Sequence, residues 1–211
     1  MFRYGLMTGF ITFMAISGVM ILIPFYLENV LGYDIEHVGL MLAVVPVVLG
    51  IVAPISGVLS DKFGSRLITV IGLVILVGGY IAMSSLSAGT TTVGYILRLV
   101  PIGLGMGIFQ SPNNSAIMGA VARNRLGVAS GLLSMTRTVG QTTGLAISGA
   151  VWAILVALSF GGLVPDGATA APIQAQVAGL QQTFLGIAGL VFVALLLSLW
   201  GWAAEKRAKP G

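Results

Sequence analysis

The sequence has no cysteine, one histidine, and charge on only 8% of its residues. Without cysteine there is no disulfide, thiolate metal site or cysteine nucleophile. His37 has no second His or Cys near it to complete a metal site, so a place on the surface is expected of it. No Ser-His-Asp set, metal-ligand cluster or pair of carboxylates within an apolar run is present, so no enzyme and no cofactor are expected. There is no charge-rich soluble domain and no nucleic-acid surface, and a channel would need a ring-forming charged motif that is missing.

What fills the space is apolar. Hydrophobic residues make up 57% of the 211, 30 more are glycine, and the mean hydropathy is +1.04. A soluble domain of this size cannot bury that much apolar surface. Six segments are long enough to cross a bilayer core of about 30 Å. They run over Gly5–Leu27, Val38–Leu59, Leu67–Ser87, Thr92–Val121, Gly127–Leu158 and Thr183–Ala203. The expected fold is all-α, a polytopic membrane bundle of six helices forming one unit over 1–211.

The formal charge is +4, but the placement of the cations says more than their sum. Arg3 precedes the first span, Lys62 and Arg66 follow the second, Arg123 and Arg125 the fourth, and Lys206, Arg207 and Lys209 the sixth. In a six-span chain these all fall on one side. The other side holds Asp34, Glu36 and Asp166, with Glu28 at its edge. Basic loops stay in the cytoplasm during insertion, which predicts both termini inside, in the plasma membrane (the inner membrane of a Gram-negative cell). The opening MFRYGLM has some features of a signal peptide, but the apolar run behind it is a full span, so a retained first helix is expected. Trp200 and Trp202, and Trp152 at the opposite end, are expected as interfacial anchors.

Polar residues inside spans concentrate in the fourth and fifth. The fourth carries Arg98, Gln110, Ser111, Asn113, Asn114 and Ser115, and the fifth Ser134, Thr136, Arg137, Thr138, Gln141, Thr142 and Thr143. Arg137 lies about ten residues into its span, roughly 15 Å at the helical rise. A cation there costs at least about 2.5 kcal/mol. It is either bonded to carbonyls and hydroxyls within the bundle or used in a gate or cavity, and the same choice holds for Arg98. Glu28, four residues after Pro24, is a carboxylate at the outer water interface or a proton-coupling group beside a kink. With no acid at mid-membrane, the main proton site is expected outside this chain. Gly103/Gly107 and Gly140/Gly144 fit small-xxx-small packing faces rather than a nucleotide loop. Pro101 and Pro112 predict a bent helix lining a cavity.

The turn GVLSDKFGSR adds a sharper clue. Asp61 stands at the C-terminal end of a helix, where the macrodipole disfavours an acid by about 0.3–1 kcal/mol. It should have a partner: Lys62, Arg66 or the N-terminus of another helix, which Gly57 would allow to approach. The pattern Gly57-x-x-x-Asp61-Lys62-x-Gly64-x-Arg66 resembles the cytoplasmic loop motif of the major facilitator superfamily, with Ser65 in place of the usual second basic residue. Ile23 to Pro46 is similar to the seventh-type helix and its outer loop in the fourteen-span drug:proton antiporter branch. Arg123 to Gly149 is similar to that branch's eleventh-type helix. Arg98 with Gly103, Gly105 and Gly107 is similar to the fourth-type helix motif, its first Gly one residue later than in the family.

The resemblance implies the C-terminal six-helix half of a multidrug efflux transporter. Its first and fourth helices would line the cavity, its second and fifth close the seam between halves, and its third and sixth face lipid. Gly57, Asp61, Lys62, Gly64 and Arg66 would form a gate latch. Arg98, Gln110, Asn113, Asn114, Arg137 and Gln141 would serve the cavity or gate, and Glu28 would be the candidate proton-linked group. Implied partners are the lipid bilayer, an N-terminal half or a second copy, protons, and amphipathic, often cationic, drug-like compounds. The alternative is a truncated or non-transporting six-helix scaffold that binds other helices through its glycine faces.

Overall fold

The computed structural model describes residues 2–208, and of 205–208 the backbone alone. All six spans form, and no strand occurs among the described residues. The first is α1 (Phe2–Phe25), which continues through Pro24 into a π turn at Tyr26–Val30. There the Leu31 N–H reaches Tyr26 O, five residues back, at 3.1 Å. The second span is α2 (Ile35–Leu42) and α3 (Val44–Phe63), with a one-residue interruption at Ala43. Helical bonds resume on both sides of it; the missing one is the bond to Leu42 O that Pro46, lacking an N–H, cannot donate.

Then follow α4 (Ser65–Met83), α5 (Thr92–Gly119), α6 (Leu126–Phe160) and α7 (Ile173–Ala208). The α3–α4 turn is a single residue, Gly64, at φ +89°, a value that side chains oppose.

The ends of the bundle sort by charge. Asn113 Nδ2 donates to Gly5 O at 3.2 Å, and the rings of Tyr4 and Trp200 meet edge-on at 5.6 Å. The start of α1, the end of α5 and the end of α7 therefore lie together, with Arg3, Lys62, Arg66, Arg123 and Arg125. At the other end Tyr26 Oη donates to Ser87 O at 2.8 Å and Gln181 Nε2 to Leu86 O at 2.7 Å. Glu28, Asp34, Glu36 and Asp166 belong to that end and all are exposed. The tail cations Lys206 and Arg207 lie beyond the described side chains, and Lys209 lies outside the described residues.

Close helix contact rests on glycine. A Cβ at Gly144 would sit 2.1 Å from Met14 O, and one at Gly140 2.8 Å from Phe10 O. These two seat α6 on α1. Gly103 and Gly107 seat α5 on Val48 and Val52 of α3, where a Cβ would lie 2.8 and 2.9 Å from their side chains. Both small-xxx-small pairs thus pack as expected, and they do so inside the bundle. These two faces are therefore occupied within the bundle, while Gly50, Gly78, Gly127, Gly131, Gly186 and Gly189 have open space beside them.

Two expectations are corrected. The sixth span starts ten residues earlier than its hydropathy suggests, at Ile173 instead of Thr183. Its first turns read as loop because they carry Gln174, Gln176, Gln181 and Gln182. Yet Gln176 is buried, and its Nε2 donates to Ala171 O at 2.7 Å and Thr169 O at 3.0 Å. Trp152 is no interfacial anchor. It is buried, its ring stacks on Phe25 at 5.6 Å, and its Nε1 donates to Gln176 O at 3.3 Å. Trp200 is exposed as an anchor should be.

Candidate functional site

The structure opens a cavity of about 340 Å³ between four spans. Alpha-1 contributes Phe13, Ile16, Val19 and Met20, and the broken second span contributes Leu42, Val45, Pro46 and Leu49. Leu99, Met106 and Gln110 come from α5, and Arg137 and Gln141 from α6. Neither α4 nor α7 reaches it. A second, more polar space of about 340 Å³ adjoins it toward the basic end, lined by Leu49, Ala53, Gln110, Ser111, Asn114 and Ser115. Leu49 and Gln110 belong to both. An apolar chamber and a hydrophilic cleft between α3 and α5 thus lie side by side, with Leu49 and Gln110 between them.

Local sequence explains why the chamber exists. Glycines at 103 and 107 bring α5 against α3, and glycines at 140 and 144 bring α6 against α1. The two tight pairs leave a gap between them, because α5 and α6 meet each other only weakly. Arg137 enters that gap. Its guanidinium carbon lies 4.8 Å from the Phe13 ring centroid, a cation–π contact. Its Nε is buried and has no hydrogen-bond partner. Gln110 and Gln141 make no side-chain hydrogen bonds among the described residues.

The other expected site residues separate. Arg98 is away from the chamber. Its Nε donates to Ser85 Oγ at 2.8 Å and an η nitrogen donates to Gly94 O at 2.9 Å. This is the structural role that had been open to both arginines, and Arg98 fills it. Asn113 is buried and ties α5 to α1 through Gly5, so it cross-links rather than lines a cavity. Asn114 lines the polar cleft, and its Oδ1 is buried without a partner. Glu28 is exposed in the π turn and does not border the chamber.

In the α3–α4 turn, Gly57 packs near Ser111 Oγ of α5, at 3.3 Å from a notional Cβ. Asp61, Lys62 and Gly64 are exposed and Arg66 is half-buried. The partner expected for Asp61 is not found: no hydrogen bond or ion pair holds it among the described residues.

Two features escaped the sequence reading. Leu42 to Leu49 form a cavity wall because the helix breaks at Ala43, and Pro46 was the available signal. The buried Ser56 donates to Gly107 O across α3 and α5 at 2.8 Å. A lone serine gives no such sign.

Residues 1–145 match the family model described as Major Facilitator Superfamily. The transporter YebQ of Escherichia coli (strain K12) is 34% identical over 147 residues, 70% of this chain and 32% of that protein. The riboflavin transporter RibZ of Clostridioides difficile (strain 630) is 32% identical over 145 residues, 69% of this chain and 32% of that one. The multidrug resistance protein Stp of Mycobacterium tuberculosis (strain ATCC 25618 / H37Rv) is 33% identical over 141 residues, 67% of this chain and 26% of its own length. The chain thus spans between about a quarter and a third of the length of these curated relatives.

Proposed function

The chain belongs to the Major Facilitator Superfamily, and we propose that it is the C-terminal six-helix half of a multi-pass exporter of drug-like small molecules driven by proton antiport. The observation that carries the reading is the chamber with Arg137, Gln110 and Gln141 on its wall, bounded by the first, second, fourth and fifth spans and by neither of the others. Alternating access rocks one bundle against another around a midplane site. This bundle supplies one wall of that site.

The burial pattern supports a missing opposite wall. Only 11% of the second span's and 22% of the fifth span's apolar stretch is buried, against 44% or more for the others. Those two spans would meet an N-terminal half, or a second copy. Asp61, exposed at the end of α3, would find its partner on that half, with Lys62 and Arg66 completing a latch on the cytoplasmic face of the plasma membrane. The principal proton site would lie on the opposite half too, since every described carboxylate of this chain is exposed. Names of relatives such as Stp and the lincomycin resistance protein LmrB favour drugs as cargo, while RibZ shows that the likeness extends to a vitamin transporter.

The test is accumulation of an amphipathic dye in bacteria stripped of their own efflux pumps. Cells making the chain with its natural partner segment should hold less dye, and a protonophore should erase the difference. Equal accumulation with and without the chain would overturn the reading.

A further inference from the structure

We propose that the chamber selects amphipathic organic anions, their carboxylate or sulfonate held at Arg137 and their apolar body lodged against Phe13, Leu49 and Met106. This rests on the reading of the chamber as a cargo site and goes further, to the sign of the cargo's charge. The polar inventory of the wall is one guanidinium and two amides, with no carboxylate. All described acids of the chain, Glu28, Asp34, Glu36, Asp61 and Asp166, are exposed and none borders the space. Arg137 therefore has no counter-charge among the described residues, and its Nε is buried without an acceptor.

A guanidinium in an apolar wall keeps its charge and leaves donors unmet, and an oxyanion satisfies both at once. The Phe13 ring lies 4.8 Å from the guanidinium carbon and offers it a π face but no oxygen acceptor. An amphipathic cation would meet like charge here, with no acid to offset it. Gln110 and Gln141 supply neutral donors and acceptors for the rest of a polar head.

Equilibrium dialysis tests this with three probes of one shape. They are pyrenebutyrate, its methyl ester and the corresponding pyrenebutyl-trimethylammonium, measured against the chain together with its natural partner segment in lipid nanodiscs, with empty nanodiscs subtracted. Pyrenebutyrate should bind at least tenfold more tightly than the cation. Arg137→Gln should bring the carboxylate down to the affinity of the ester, whose own binding shifts less than threefold. Arg137→Lys keeps the charge without the Nε donor and should recover part of the preference. Equal binding of all three probes leaves the cargo chamber standing and overturns the charge assignment. No binding of any probe overturns both. The anion could instead be a carboxylate of a facing protein segment. To separate the two, Arg137→Gln is placed at the chromosomal locus, and it should slow pyrenebutyrate export at least tenfold and ester export less than threefold. Equal loss of both exports would mean that Arg137 pairs with protein, and would overturn the proposal.

Discussion

The two arginines inside the membrane spans have opposite surroundings. Around Arg98, at the acidic end of the bundle, two donors are met, the Nε among them: Ser85 and Gly94 accept from it within 3 Å. Around Arg137 an aromatic face and two idle amides surround a guanidinium whose Nε has no acceptor. The residue type is the same in both places, and both spans are apolar. One region is closed on itself and reads as structure. The other is left incomplete, and a polar group left incomplete in an apolar wall points to something that arrives from outside.

The sharpest way to break this contrast is to damage one region alone. Gly144→Ala should do so, because the new Cβ would strike the Met14 backbone carbonyl and force α6, which carries Arg137, off α1, which carries Phe13. Backbone cannot yield as a side-chain tip does, so the loss should exceed about 3 kcal/mol, the upper range for overpacking. Thermal unfolding in micelles would show it, and an unchanged midpoint would refute the tight α1–α6 seam. Next comes the direct comparison of the arginines. Arg98→Leu removes two hydrogen bonds from a charged donor and should destabilise the bundle by about 1.5–3 kcal/mol. Arg137→Leu removes an unmet donor instead and should leave the unfolding midpoint level or raise it. Equal losses from the two would mean that Arg137 is as well bonded as Arg98.

A smaller effect is expected at the α3–α5 contact. Ser56→Ala deletes the bond to Gly107 O and should cost about 0.6 kcal/mol, typical of such bonds between membrane helices. The least effect concerns the acidic end. Asp34 caps α2, accepting from the His37 amide at 3.2 Å and pairing with the His37 ring, and these bonds hold its carboxyl below the ordinary value. An acid whose folded value is depressed contributes above its unfolded pKa, near 4, and loses that contribution as pH falls through the folded value. Hydrogen exchange at the first amides of α2 should therefore quicken only under strongly acid conditions, and Asp34→Asn should flatten the pH profile. The Arg98 contacts at the same end should show no such dependence.

Much of the molecule was legible without coordinates. Six spans, their alternation, the one-sided cations and the two glycine pairs follow from the length of apolar runs and from small residues one turn apart. The start of α7 was not legible, because hydropathy counts Gln176 as polar whether or not its amide is satisfied. Trp152 was misread for a related reason: an aromatic ring at a span end suits the interface or the core, and only Phe25 and Gln176 decide which. At the site, Gln110, Arg137 and Gln141, expected as a group because polar side chains in a span must face protein or water, all line the one chamber. Arg98 and Asn113 were grouped with them because sequence records depth in the span but not which neighbour lies across it.

The sequence by itself determined the solvent: a chain this apolar has to satisfy every backbone group within helices, and its cations have to stay on one side. The tertiary structure decided which polar side chains are met and which are left waiting. Hydrogen bonds depend on distances of a few tenths of an ångström between helices far apart in the chain, and those distances are fixed only when the glycine seams close.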